Sequence, residues 1–244
     1  MKILISNDDG IHAKGIRVLS ERLASDPKHE VWVVAPDRER SATGHSLTLH
    51  KPLRVEQVET HSPKVKAAWS TTGTPSDCVK LAVSELLKET TPDIVISGIN
   101  NGPNLGSELL YSGTVAAAME GAFLEIPSMA CSLAFGDVRH YDAAAEVVAR
   151  LLAVFPKAHL SKRSLFNVNF PNVPLEQLQG VRVTQVGVRM YDDYFERRVD
   201  PRGRVYYWLA GEAITEGEAE NSDAWAVSHN YVSLSPVEFD LMYL

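Results

Sequence analysis
The chain has 244 residues, 45% hydrophobic and 23% charged. That is enough for one large domain or a domain with an appendage, and it is ordinary for a globular rather than a disordered protein. Its 24 Lys and Arg against 31 Asp and Glu leave a net charge of −7, the wrong sign for a large groove that binds nucleic-acid polymers non-specifically. Two cysteines, Cys78 and Cys131, cannot build a disulfide scaffold or a cysteine-rich zinc site. Their apolar settings suit buried free thiols in a reducing compartment. The opening MKILISNDDG reaches two aspartates by position 9, which leaves no room for a signal-peptide core. The most apolar later stretch, 115–135, is interrupted by Glu120, Glu125 and Pro127 and does not suit a membrane span. A cytoplasmic protein without membrane contacts is expected.

In chain order, residues 2–6 (KILIS) read as a first strand, followed by a weak helical stripe at Ile16, Leu19 and Leu23. Residues 30–35 (EVWVVA) read as a second strand, and two more polar strands are expected at 47–58 and 65–72. Val79, Ala82, Val83, Leu86 and Leu87 fall at helical spacing, after which 93–97 (DIVIS) reads as a strand. Val115, Ala118, Met119, Ala122 and Phe123 repeat that spacing, 127–133 reads as a strand, and Ala144, Val147, Val148, Leu151 and Leu152 give a further helix. Short, wholly apolar strands suit a parallel sheet covered on both faces by helices that lay an apolar stripe on it. The alternation predicts an α/β fold, a doubly wound (Rossmann-like), mainly parallel sheet flanked by helices, over residues 1–180. Past Gly180 the pattern turns to strands at 181–188, 194–199 and 205–209 around Asp200-Pro201-Arg202-Gly203, a hairpin signal rich in aromatic residues. Residues 181–244 are therefore expected to form a C-terminal β-hairpin extension, with 212–223 as an acidic solvated loop.

Asn7-Asp8-Asp9-Gly10 directly follows the first strand. Ligands of open parallel sheets bind beyond the carboxyl ends of the strands, and two adjacent carboxylates there repel unless a cation or donors neutralise them. Either a hard divalent cation such as Mg²⁺ or Mn²⁺ sits on the pair, or Asp8 merely caps a helix after a turn. The second strand runs into APDRERSATGHS (35–46), and the 93–97 strand runs into GINNGPNLG (98–106) with its three glycines and three asparagines. A fourth segment, Tyr111-Ser112-Gly113-Thr114, stands just before the helix that starts near Val115. Its free N–H groups and hydroxyls suit a phosphate, or Ser112 or Thr114 is simply the helix cap. A cation site beside an anion-binding helix start is what phosphate-ester chemistry requires. No placed cysteine nucleophile, G-x-S-x-G elbow or P-loop lysine motif competes. Asp77 in Thr74-Pro75-Ser76-Asp77 fits a helix cap better than a site. His45 is either a general acid near the metal or an ordinary polar contact.

Taken together, ILISNDDG, APDRERSATGHSLTL, TGTPSDCV and SGINNGPNLGSELLYSGTVAAAMEGA resemble the SurE family of survival-protein nucleotidases. The closing NYVSLSPVEFDL resembles that family's last segment, with Asn230 where glycine is more usual; Asn also tolerates left-handed backbone. The resemblance covers nearly the whole chain. It implies a metal-dependent phosphomonoesterase acting on nucleoside monophosphates at the 5′ or 3′ position, with terminal polyphosphate removed by some members. It implies one divalent metal, Mg²⁺ or Mn²⁺, on Asp8, Asp9, Ser41 and Asn100, with Ser46 the alternative to Ser41. Asp8, Asp9 and Asn100 would be catalytic, Ser112, Gly113 and Thr114 would contact phosphate, and Asn104, counted with the phosphate-binding residues, would shape the glycine-rich loop. It further implies a homodimer or homotetramer that exchanges C-terminal segments, a contact expected at the hairpin around 200–203.

The chemistry expected is in-line attack of water on phosphorus, with an aspartyl-phosphate on Asp8 or Asp9 as the competing route. A phospho-receiver module also places paired acids after its first strand. It would need an acceptor aspartate after the central strand and a late lysine, and neither follows Ser97 or Leu133 as required. A non-catalytic, metal-dependent nucleotide-binding regulatory protein is the remaining alternative.

Overall fold
Each short apolar run becomes a strand because both of its faces are covered. The structure is a computed structural model that describes residues 1–60, 62–155, 163–188, 190–192, 194–211, 213–214 and 219–238. The strands are β1 (Lys2–Ser6), β2 (Glu30–Pro36), β3 (Val55–Val58), β4 (Ala67–Thr71), β5 (Ile94–Asn101), β6 (Ser128–Leu133), β7 (Leu165–Phe170), β8 (Gly180–Val183), β9 (Met190–Tyr191), β10 (Tyr194–Val199), β11 (Val205–Ala210), β12 (Ala213–Ile214) and β13 (Tyr231–Val237). The helices are α1 (Lys14–Ala24), α2 (Pro75–Leu81), α3 (Gly113–Phe123), α4 (Tyr141–Val154) and α5 (Asp223–Ser228). Among the described residues nine strands form one sheet in the order β3-β4-β2-β1-β5-β6-β7-β13-β8. From β4 through β7 the neighbours are parallel, whereas β3 runs antiparallel to β4 and β13 to β7. This is the doubly wound α/β sheet that the strand–helix alternation predicts.

The two-residue period of a strand sorts the core into two layers. Ile3, Ile5, Val31, Val33, Ile94 and Ile96 join the apolar faces of α1 and α4. Leu4, Trp32, Val34 and Val95 face the other way, against Cys78, Val79 and Ala117 of α2 and α3. Both cysteines are free and buried. Burial pushes the Cys78 thiol up to about 12, partly offset by its hydrogen bond with Thr71, and burial alone pushes Cys131 up as well. Neither is a nucleophile at neutral pH.

Three stretches depart from the sequence reading. The strand expected over 47–58 is limited to β3, because side chains take the backbone donors ahead of it: Asp77 accepts from Thr48 N–H at 3.1 Å and Thr72 from Arg54 N–H at 3.1 Å. β7 carries Asn167 and Asn169 in place of apolar residues and so lacks a strand's apolar signature. The chain beyond 180 also contributes β8 and β13 to the main sheet, alongside the separate hairpin β10–β11. That hairpin is turned by Asp200, whose Oδ1 accepts the N–H groups of Arg202 (2.8 Å) and Arg204 (2.9 Å). Residues 212 and 215–218 of the acidic stretch, and 239–241 of the closing segment, lie outside the described residues. Asp223, the last residue of the stretch expected to be solvated, is instead fully buried. Asn230 adopts φ 60°, the left-handed backbone expected of it. Among the described residues no helix is long and apolar enough to cross a membrane.

Candidate active site
Strand order reverses at β1, which has β2 on one side and β5 on the other. This is the switch point at which open α/β sheets leave a crevice. Asn7 closes the turn after β1, donating from Nδ2 to the Gly10 carbonyl (2.9 Å) and accepting from Gly10 N–H (3.1 Å). Gly10 has φ +99°, and a Cβ there would come within 3.1 Å of the Arg38 backbone, so only glycine fits. The turn directs Asp8 and Asp9 into the crevice. Asp8 does not cap α1, whose N-cap is Ala13.

Asp8 is 4% exposed, and its Oδ1 accepts from the Thr114 hydroxyl. Burial drives its pKa up, outweighing that hydrogen bond. Asp9 Oδ2 accepts from Asn101 N–H at 3.1 Å. Its pKa is raised to about 6, first by desolvation and then by the neighbouring Asp8 charge. Glu39 adds further negative potential to both. Two adjacent desolvated carboxylates are stabilised in their charged forms by a cation or by hydrogen-bond donors.

The N-terminus of α3 meets this pair directly. Ser112 is its N-cap, accepting from Val115 N–H at 3.2 Å. Gly113 packs so tightly on the pair that an added Cβ would lie 2.8 Å from Asp8 Cβ. Ser41 is exposed on the β2 loop and donates its hydroxyl to Glu39 Oε1 at 2.7 Å, which leaves its oxygen lone pairs available. Asn100 ends β5 and donates from Nδ2 to the Gly102 carbonyl at 2.9 Å, which keeps Oδ1 as a ligand oxygen.

A cavity of about 360 Å³ gathers Asp8, Asp9, Ser41, Asn100, Asn104 and Ser112. Gly113 and Thr114 act from behind Asp8 rather than from the cavity wall. Asn104 is 7% exposed; its Nδ2 donates to Ser132 at 2.6 Å and its carbonyl accepts from Asn167 (2.8 Å) and Asn169 (3.0 Å). These bonds tie the glycine-rich loop to β6 and β7. His45 is drawn away from the cavity to Glu120 at 2.8 Å. Burial favours the neutral acid at Glu120, but hydrogen bonds from His45 and Lys80 outweigh it and hold that carboxyl below the usual range. Asp77 forms a capping box with Thr74.

The sequence reading brought the segments that carry Glu39, Glu108 and Tyr111 to this edge without giving those residues a role, and it missed Phe135 as a cavity residue. Phe135 stands in the loop after β6, where a lone aromatic residue gives no spacing to read. Among the described lining residues the charged groups are all carboxylates. Two carboxylates, an amide oxygen and a hydroxyl form an all-oxygen donor set that fits a hard divalent cation. A phosphate could enter such a field only with a cation to meet it.

The sheet and this site define an α/β protein with a carboxylate-lined, all-oxygen cavity at the switch point of its sheet. A family model described as survival protein SurE matches residues 3–193, and the chain belongs to that family. It is 51% identical to the 5′-nucleotidase SurE of Synechococcus elongatus, over 100% of this chain and 95% of that protein. It is 45% identical to the 5′-nucleotidase SurE of Alkaliphilus metalliredigens, over 100% of this chain and 94% of that one. The crystal structure of the SurE protein from Aquifex aeolicus superposes with a TM-score of 0.87 at 39% identity, covering 100% of this chain and 95% of that one.

Proposed function
We propose that this chain is a divalent-metal-dependent 5′-nucleotidase that hydrolyses nucleoside monophosphates to nucleoside and inorganic phosphate, with 3′-nucleotides and short polyphosphate as further candidate substrates. The observation that carries this reading is the Asp8–Asp9 pair packed against the α3 N-terminus. Full-length relatives named 5′-nucleotidase support it.

Asp8, Asp9, Asn100 and Ser41 would hold one Mg²⁺ or Mn²⁺, which when bound supplies charge neutralisation and Lewis acidity. Thr114 fixes the Asp8 carboxylate through Oδ1 and Asn101 fixes the Asp9 carboxylate through Oδ2, which would orient the pair toward the cation. The Ser112 hydroxyl, on the cavity wall at the α3 N-terminus, would orient a phosphoryl oxygen. Asp8 is buried and fixed by Thr114, which disfavours it as a nucleophile and supports direct attack of water.

The catalytic machinery lies in residues 1–180 on this reading, and residues 181–244 serve subunit contact in a homodimer or homotetramer. Two buried reduced thiols suit a cytoplasmic enzyme. Phosphate release from AMP, measured with Mn²⁺ or Mg²⁺ and again with excess chelator, tests the proposal. Metal-dependent release is expected. Silence from the folded protein with either metal overturns the enzyme and leaves a nucleotide-binding protein.

A further inference from the structure
Two large rings line the cavity but are not part of any core: Phe135 is 70% exposed and Tyr111 71%. A single exposed ring needs no explanation, but two bordering one carboxylate-rich cavity do. Phe135 follows β6 and rests on the β5 loop, where a Cβ on Gly102 would come within 2.7 Å of its Cζ. The Arg139 guanidinium lies 5.4 Å from its ring centroid and is itself fixed by donating to the Ala134 carbonyl at 3.0 Å. Tyr111 is set by its backbone: its N–H donates to the Glu108 carbonyl at 2.9 Å, and its carbonyl accepts from Gly44 N–H at 3.0 Å. In the sheet, β6 stands two strands from β1, a separation of about 10 Å. That leaves room for a pentose between a phosphate at Asp8–Asp9 and a ring at Phe135.

We infer that Phe135 is the stacking platform for the base of the substrate, with Tyr111 bordering the same pocket, so that the site selects phosphomonoesters carrying a flat aromatic ring. The inference rests on the nucleotidase reading. A base has a π-face whatever its identity, so the platform raises affinity for nucleotides as a class without choosing among bases. Alanine in place of a stacked aromatic weakens binding by about 5- to 150-fold per base.

The test measures kcat and KM with Mn²⁺ for AMP and for ribose 5-phosphate, which carries the same sugar and phosphate without a base. Wild type, Phe135→Ala and Phe135→Tyr are compared. Phe135→Ala is expected to raise KM for AMP about tenfold while kcat holds. It is also expected to lower the AMP to ribose 5-phosphate ratio of kcat/KM by the same factor, with Phe135→Tyr restoring both. An unchanged ratio, or equal losses on both substrates, overturns the platform and leaves the nucleotidase standing. No phosphate release from AMP by the wild type overturns the nucleotidase and the platform with it.

Discussion
At Asp9, desolvation and the adjacent Asp8 charge push in the same direction, and the carboxyl titrates near 6 instead of 3.8. The sign of the consequence is fixed. Between those two values the folded state binds more protons than the unfolded one, so stability of the metal-free protein falls as pH rises through that window. A divalent cation pairs the charged form, so it should remove the decline and bind more weakly below about pH 6. Thermal unfolding at pH 5 and pH 7.5, with and without Mn²⁺, reads both effects; an equal Mn²⁺ shift at the two values would contradict the assignment. Gly113 makes a second residue-scale case. Gly113→Ala would force its Cβ to within 2.8 Å of Asp8 Cβ, displacing the carboxylate or the start of α3. A stability loss of about 1–3 kcal/mol is expected in urea melts, together with weakened Mn²⁺ binding by calorimetry.

At the scale of elements, the glycine-rich loop after β5 is held by something far away in sequence. Asp223, the first residue of α5, is fully buried and accepts from Gly106 N–H (2.8 Å), Gly187 N–H (3.0 Å) and Ala224 N–H (2.9 Å). One carboxylate therefore ties the cavity wall to the C-terminal part of the chain. Asp223→Ala strands one buried and two part-buried donors and should cost about 2–3 kcal/mol. Asp223→Asn keeps part of the acceptor capacity and should cost less, an order that equilibrium unfolding of the two variants checks. The acidic run at 212–223 hid this residue, because composition reads such a run as solvated. Its role depends on α5 docking beside β13, a long-range contact that no local pattern encodes.

At the scale of the whole molecule, the hairpin β10–β11 exposes Phe195 (70%), Tyr207 (58%), Trp208 (58%) and Leu209 (62%). Apolar area of this extent marks an interaction surface. Trp208→Asp should lower the assembly mass measured by light scattering, and an unchanged mass would remove the hairpin from the subunit contact. Cation binding also acts on the molecule as a unit. At 100 times its dissociation constant Mn²⁺ should stabilise the fold by about 2.7 kcal/mol, seen as a rise in Tm that chelator reverses.

The strands β1, β2, β5 and β6, the helical stripes, the Asp8–Asp9 pair and the Thr74 cap were all legible in the sequence. Each is written in local spacing, since apolar periodicity, a cap or an acidic turn acts within a few residues. The same is true of the loop order that brings Ser41, Asn100 and Ser112 to one edge, because a doubly wound sheet delivers its strand ends there. The tertiary structure alone decided that Thr114 serves Asp8 and that His45 is spent on Glu120. It alone also decided that Asn167 and Asn169 hold Asn104, and that β13 enters the main sheet between β7 and β8. Those pairings join residues far apart in the chain, and which buried donor meets which acceptor is fixed only once the layers have packed.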